Sequence, residues 1–373
     1  MVVGIRNGLW LVGALALTMS ACDSGGSEAE GSETKGETAG EGTSGGDTTP
    51  QPTGESDTET TDPGTTVDPS DSTTGDETTG AESSTGGTDE LGQKIELRVE
   101  NFNVPPVETS YNCWDFTFSL DQLGHITAFD AVIDNAAHVH HFVVTLTANP
   151  SGSPDGYSCF DLEGDMVWAW APGETRFELP PEAGYLIGDT PGGSVTLRLQ
   201  VHYNNPLGVS GQTDSSGFDF YVTDELRENN AGTLVFGDIE GIEIPPGEAE
   251  HEHVMTCRGE VTAAQLPEPI HVFGSSMHAH DLGSVLYSEQ YRDGEMILEI
   301  NRDDPFDFEN QNMKPVDFDI MPGDEIVNHC FYDSTARKTT TFGGPGTQDE
   351  MCWNTIAYYP KIPSGFDYCS SNN

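Results

Sequence analysis

The sequence predicts an all-β protein: two antiparallel, jelly-roll-like β-sandwich domains behind a disordered acidic tether. Three observations carry this. From residue 94 the chain breaks into short alternating or apolar runs punctuated by Gly, Pro, Asn and Asp, the pattern of strands joined by turns. No long stretch keeps a helical spacing of apolar residues. Residues 23–92, by contrast, are almost entirely Gly, Ser, Thr, Asp, Glu and Pro, and such a segment cannot bury enough surface to offset its ordering entropy.

In chain order, Arg6 and the mostly apolar run Leu9–Met19 come first, too short to span a bilayer, and lead into Ser20-Ala21-Cys22. Residues 1–21 resemble a bacterial lipoprotein signal, with Cys22 as the lipidated mature N-terminus and the one membrane attachment. Met19 stands where Leu is usual, and an ordinary signal peptide cleaved nearby is the alternative. Residues 22–92 then form the tether, about 45 Å from end to end as a flexible coil. Such a layout places an exported head at the cell envelope, on the periplasmic side or the cell surface.

The folded part supplies strand candidates at 95–99, 142–146, 195–203, 218–222, 233–236, 271–274, 296–300 and 355–359. Arg227–Gly232 reads as the junction between domains of residues 93–230 and 231–373, long enough for two real cores. The formal charge is −49, and residues 93–373 alone hold 12 basic against 45 acidic side chains, which argues against a nucleic-acid partner and favours a cationic ligand such as an amine. Besides Cys22 there are six cysteines, an even number that in an exported chain favours three disulfides with fifteen pairings open.

Eleven histidines are distributed in clusters. His278 and His280 in Met277-His278-Ala279-His280 share a strand face about 6 to 7 Å apart, so both imidazoles can meet one metal ion. His138, His140 and His141 are ambiguous: regular alternation pairs His138 with His140, whereas His140 and His141 converge only at a bulge or strand end. His202 lies in an alternating apolar and polar run, and His251 and His253 sit in an acidic, Pro-rich stretch that reads as solvent-exposed.

Several blocks occur in a family order and spacing: Val139-His140-His141, Leu197 to Leu207, Asp214-Ser215-Ser216-Gly217, Asn230-Ala231-Gly232, Ile244 to Glu248, His278-Ala279-His280, and Gly343-Gly344 through Asp349-Glu350-Met351-Cys352 to Tyr358-Tyr359-Pro360. Together they resemble the copper type II, ascorbate-dependent monooxygenases over about residues 95 to 369. The resemblance implies two coppers, one per sandwich, facing each other across an open cleft. His140, His141 and His202 match the electron-transferring copper site, and His278, His280 and Met351 match the site where dioxygen reacts. His138 then becomes a neighbour, His271 an outer partner orienting the second site, and Tyr203 and Tyr358 core or cleft aromatics. It further implies disulfides Cys330–Cys352 and Cys257–Cys369. Cys113 is left with Cys159, although their usual family partners have no cysteine at the corresponding places here.

The implied activity is insertion of one oxygen atom of dioxygen into a C–H bond of a small substrate, one that can bear an amine, with electrons from ascorbate or a similar donor. Peptide-amidating members carry an arginine, polar groups and a tyrosine where this chain has Ser276, Trp353 and Thr355, so a peptide ending in glycine is not expected. The rival reading is a lipoprotein that binds or delivers copper without turnover.

Overall fold

The computed structural model describes residues 91–372 except 154, 161–162, 175 and 189–192, so the signal-like stretch, Cys22 and nearly all of the tether lie outside the described residues. Among the described residues the regular structure is strand, with one short helix, Gly259–Gln265. No helix there is long and apolar enough to cross a membrane. Every strand candidate named above falls on a strand.

The N-terminal sandwich packs a six-stranded sheet, with Gly124–Val132 near its centre, against a five-stranded sheet in the order Tyr157–Ser158, Thr109–Ser119, Ser194–Asn204, Val139–Leu146 and Asp165–Trp170. Phe129 from the first sheet stacks on Trp168 from the second, ring centroids 5.0 Å apart. Ser194–Asn204 is central and buried almost throughout. Its period of two sends Leu197, Leu199, Val201 and Tyr203 into the core and leaves Arg198, Gln200 and His202 on the opposite face. That face is polar but covered, and its groups are paired there: Arg198 Nε donates to Asp115 Oδ1 at 2.7 Å and Gln200 Nε2 to the Phe160 carbonyl at 3.1 Å.

The C-terminal sandwich has a five-stranded sheet in the order Lys314–Ile320, Ile270–His278, Cys352–Tyr359, Gly232–Asp238 and Tyr368–Cys369. Its partner is a four-stranded sheet of His251–Cys257, Glu325–Tyr332, Gly283–Arg292 and Glu295–Asp303. Phe236, Val272, Leu286, Ile326 and Ile356 fill the space between. Disulfides Cys257–Cys369 and Cys330–Cys352 each join the two sheets, and Cys113–Cys159 completes the expected three.

The chain passes from one sandwich to the other at Ala231: Asn229–Asn230 pairs with Ala183–Gly184, and Gly232–Asp238 with Cys352–Tyr358. Arg227 fastens this passage by donating to the carbonyls of Leu179, Pro180 and Ala183. Across the interface Tyr185 Oη meets Thr233 Oγ1 at 3.1 Å, Lys361 pairs with Asp165, and Phe177 lies over Phe273. Tyr203 and Tyr358 are core side chains.

Candidate metal centres

The first histidine set is made by a bulge. His141 pairs with His202, but the next residue of that strand, Tyr203, pairs with Val139, so His140 is the extra residue. A bulge removes the alternation that would send His140 and His141 to opposite faces, and the preference of regular geometry for His138 with His140 is overruled. His138 instead meets Asn135 Oδ1 at 3.1 Å, outside the set. His141 Nδ1 lies 3.1 Å from His140 Nδ1 and 3.3 Å from His202 Nδ1, close enough for the three residues to hold one metal ion. Tyr111 stacks on His202 at 4.6 Å and Phe308 on His140 at 4.1 Å, fixing the ring planes.

Burial, reinforced by neighbouring imidazoles, pushes His140 down to about 4 and His141 and His202 well below the usual histidine range. All three are therefore neutral. Three neutral rings cannot satisfy one another here, because a ring nitrogen offers either one proton or one lone pair and His141 Nδ1 has two close neighbours.

The second set lies at strand ends. His278 closes Ile270–His278, opposite Trp353, and the ring of His280 stands 5.2 Å from that of His278. The buried Glu350 carboxylate pins this corner, accepting from the backbone N–H of His280 at 2.8 Å and of Leu282 at 2.6 Å. Burial pushes Glu350 up to about 8 against the pull of those N–H groups. His280 Nδ1–H donates to the Asp349 carbonyl at 3.0 Å, which leaves Nε2 as a lone pair, buried and without a hydrogen-bond partner. Burial lowers His278 to about 3 and lowers His280 as well. Met351 follows Glu350, is buried, and has its carbonyl held by Tyr332 Oη at 2.8 Å.

His278 and Met351 face a cavity of about 390 Å³ between the sandwiches. Its walls are largely aromatic and apolar, including Tyr111, Phe160, Trp170, Met313, Trp353 and Tyr368, and among the described residues its one carboxylate is that of Asp367. Ser276, Trp353 and Thr355 all line it.

Residues 95–210 match the copper type II ascorbate-dependent monooxygenase N-terminal domain, and residues 229–373 match the C-terminal domain. The chain belongs to this family. It is 35% identical to the tyramine beta-hydroxylase of Caenorhabditis briggsae over 311 residues, covering 78% of this chain and 52% of the relative. The dopamine beta-hydroxylases of Equus caballus and Homo sapiens are 34% and 33% identical, over 72% of this chain in each case and 47% and 46% of the relative. The chain thus spans about half the length of the curated relatives it matches.

The family is copper- and ascorbate-dependent, and both donor sets suit copper. Neutral imidazoles bind it in either oxidation state, and a thioether favours Cu(I). Converging Nδ1 atoms in the first set and a tautomer fixed by a backbone carbonyl in the second are the arrangements that ligating histidines take.

Three expectations need correction. The sets do not face each other across an open cleft: the His141 ring is 5.9 Å from that of His278, and Phe308 of the second domain lies against rings of both sets. His271 does not orient the second set, since its Nδ1 meets Asp319 at 2.9 Å and its Nε2 faces Asp317, both surface carboxylates. His251 and His253 are half-buried and paired with Glu248 and Asp238 rather than free in solvent. Sequence reasoning missed Glu350, Phe308 and Gln311 as site-building residues. For Glu350 the signal was its position beside Met351; for the other two, in a polar loop, there was none.

Proposed function

We propose that this chain is a copper-dependent monooxygenase that hydroxylates a C–H bond of a small aromatic amine. In this reading His140, His141 and His202 hold the copper that relays an electron, and His278, His280 and Met351 hold the copper at which dioxygen reacts. The supporting observation is the 390 Å³ cavity walled by His278 and Met351, because a copper carrier needs no substrate-sized space beside its ligands. Aromatic walls suit a ring, and Asp367 at the rim suits an ammonium group. The names of the tyramine and dopamine beta-hydroxylase relatives agree with that choice. Three disulfides suit an exported chain, with lipidation at Cys22 as the proposed anchor.

Copper cycling between its oxidation states would supply the one-electron steps of dioxygen reduction. The balance is R–H, O₂, two electrons and two protons giving R–OH and water, with the electrons from a reductant of the ascorbate class. The chain's own part is to keep five imidazoles unprotonated by burial, fix the His280 tautomer through the Asp349 carbonyl, and hold the substrate against apolar walls that exclude water.

Copper-loaded protein incubated with ascorbate and a panel of phenylethylamines should give products one oxygen heavier by mass spectrometry. Stoichiometric copper binding with no oxygenated product from any panel member would favour the delivery reading instead.

A further inference from the structure

The loop between Glu295–Asp303 and Lys314–Ile320 belongs to the C-terminal sandwich, yet it reaches histidines of both sets. It is anchored at Phe306, a core residue whose backbone N–H donates to the Ser284 carbonyl at 2.8 Å. A tight turn follows, in which Asn310 N–H donates to the Asp307 carbonyl at 3.0 Å and Glu309 N–H to the Asp307 carboxylate at 3.1 Å. The turn presents Phe308 face-on to His140, 4.1 Å between centroids, and edge-on to His280 at 6.3 Å. Gln311, 9% exposed, donates to the Phe308 carbonyl at 2.7 Å and turns its side chain toward the His278 ring. The N-terminal sandwich receives the loop at Gly173, where a Cβ would stand 2.4 Å from Asn310 Oδ1.

His140 turns Nδ1 into its set, so Nε2 is the nitrogen left over, buried and without a hydrogen-bond partner. The charged group facing it comes from the loop, Glu309 Oε2 at 3.8 Å, while the Phe308 ring covers the face of the imidazole. A carboxylate close to the far nitrogen of a ligating histidine favours the tautomer with its proton there and raises the basicity of the ligating nitrogen through its charge.

We propose that Phe308 and Glu309 are positioning residues for the three-histidine centre, supplied across the domain interface, so that this centre takes its final form only when the C-terminal sandwich is docked. The inference rests on the reading of His140, His141 and His202 as copper ligands. It ties the electronic character of one centre to the placement of the other, because the same six residues, Phe306–Gln311, bear on His140, His278 and His280.

The test begins with the apoprotein titrated with Cu(I) against a chromogenic chelator, and with the electron paramagnetic resonance spectrum of the Cu(II)-loaded form. Wild type should bind two ions per chain; failure to do so overturns the copper reading itself and is thereby distinguished from failure of this proposal. Glu309 is a surface side chain, 67% exposed, so its truncation is expected to leave the fold intact. Glu309→Ala should weaken one of the two sites about tenfold and change its hyperfine splitting, with the other site unmoved. Phe308→Ala should weaken and alter the same site, and Phe308→Tyr, which keeps the stacked ring, should restore the wild-type spectrum. Wild-type affinities and spectra in both alanine variants would overturn the proposal, and if Phe308→Ala fails to fold, Glu309→Ala decides alone.

Discussion

The two histidine sets depart from regular sheet geometry in opposite ways. His140, His141 and His202 sit within a paired ladder at a bulge, all three on backbone that the sheet already holds, and only His141 among them reaches the cavity. His278, His280 and Met351 sit where strands end, on corners fixed by the Glu350 carboxylate, and the proposed third donor is a flexible thioether. Under the proposed roles, enclosure suits a centre that only relays electrons, since little then has to rearrange. An open position beside a cavity suits a centre that must meet a substrate.

The largest expected effect separates the two directly. Met351→Ala removes a donor from the second set alone, so product formation should fall about 100-fold or more while close to one copper per chain remains, held by the three histidines. Metal analysis with a turnover assay reads both quantities. Equal loss of both coppers would erase the distinction between the centres.

A smaller effect is expected at the cavity wall. A Cβ at Gly237 would lie 2.2 Å from Trp353 Cδ1, so Gly237→Ala must push the indole toward the substrate space. KM should rise several-fold, on the order of 1 kcal/mol of lost binding, with copper content unchanged. An unchanged KM would show that Trp353 does not shape the bound substrate's surroundings.

How much of this was legible follows from which interactions are local. Alternation along Val195–Tyr203 gives both the core face and the outward direction of His202, because a strand's period is fixed by its backbone. The bulge at His140 was not legible from spacing: alternation favours His138, and the register slip appears only against the partner strand. The family blocks supplied what periodicity could not, including Met351, which as a single residue reads as core. Least legible was the contact between centres. The stretch 304–313 is polar and irregular, and nothing in it signals that Phe308 will stack on a histidine 168 positions earlier in the chain. Such contacts depend on how two folded bodies dock, which no local pattern encodes.

That docking has a handle in Glu174, at the edge of the N-terminal sandwich. Burial pushes its carboxyl up to about 7 against the pull of the Trp168 indole and of the Met313 backbone N–H, the latter from the second sandwich beside the Phe308 loop. A carboxyl whose folded pKa is raised loses stability as pH climbs from its unfolded value near 4.5 through about 7, and the cost is constant above that. Glu174→Gln removes the ionised form. At pH 8 the variant should be more stable by about 1–2 kcal/mol, or ~3–6 °C in Tm, and the gain should vanish near pH 4.5. Differential scanning calorimetry across this range decides whether the sandwiches stay closed over Glu174 in solution. Were they to part, water would reach the carboxylate, wild type and variant would melt together at every pH, and the contact between the two centres would belong to only one of several arrangements of the domains.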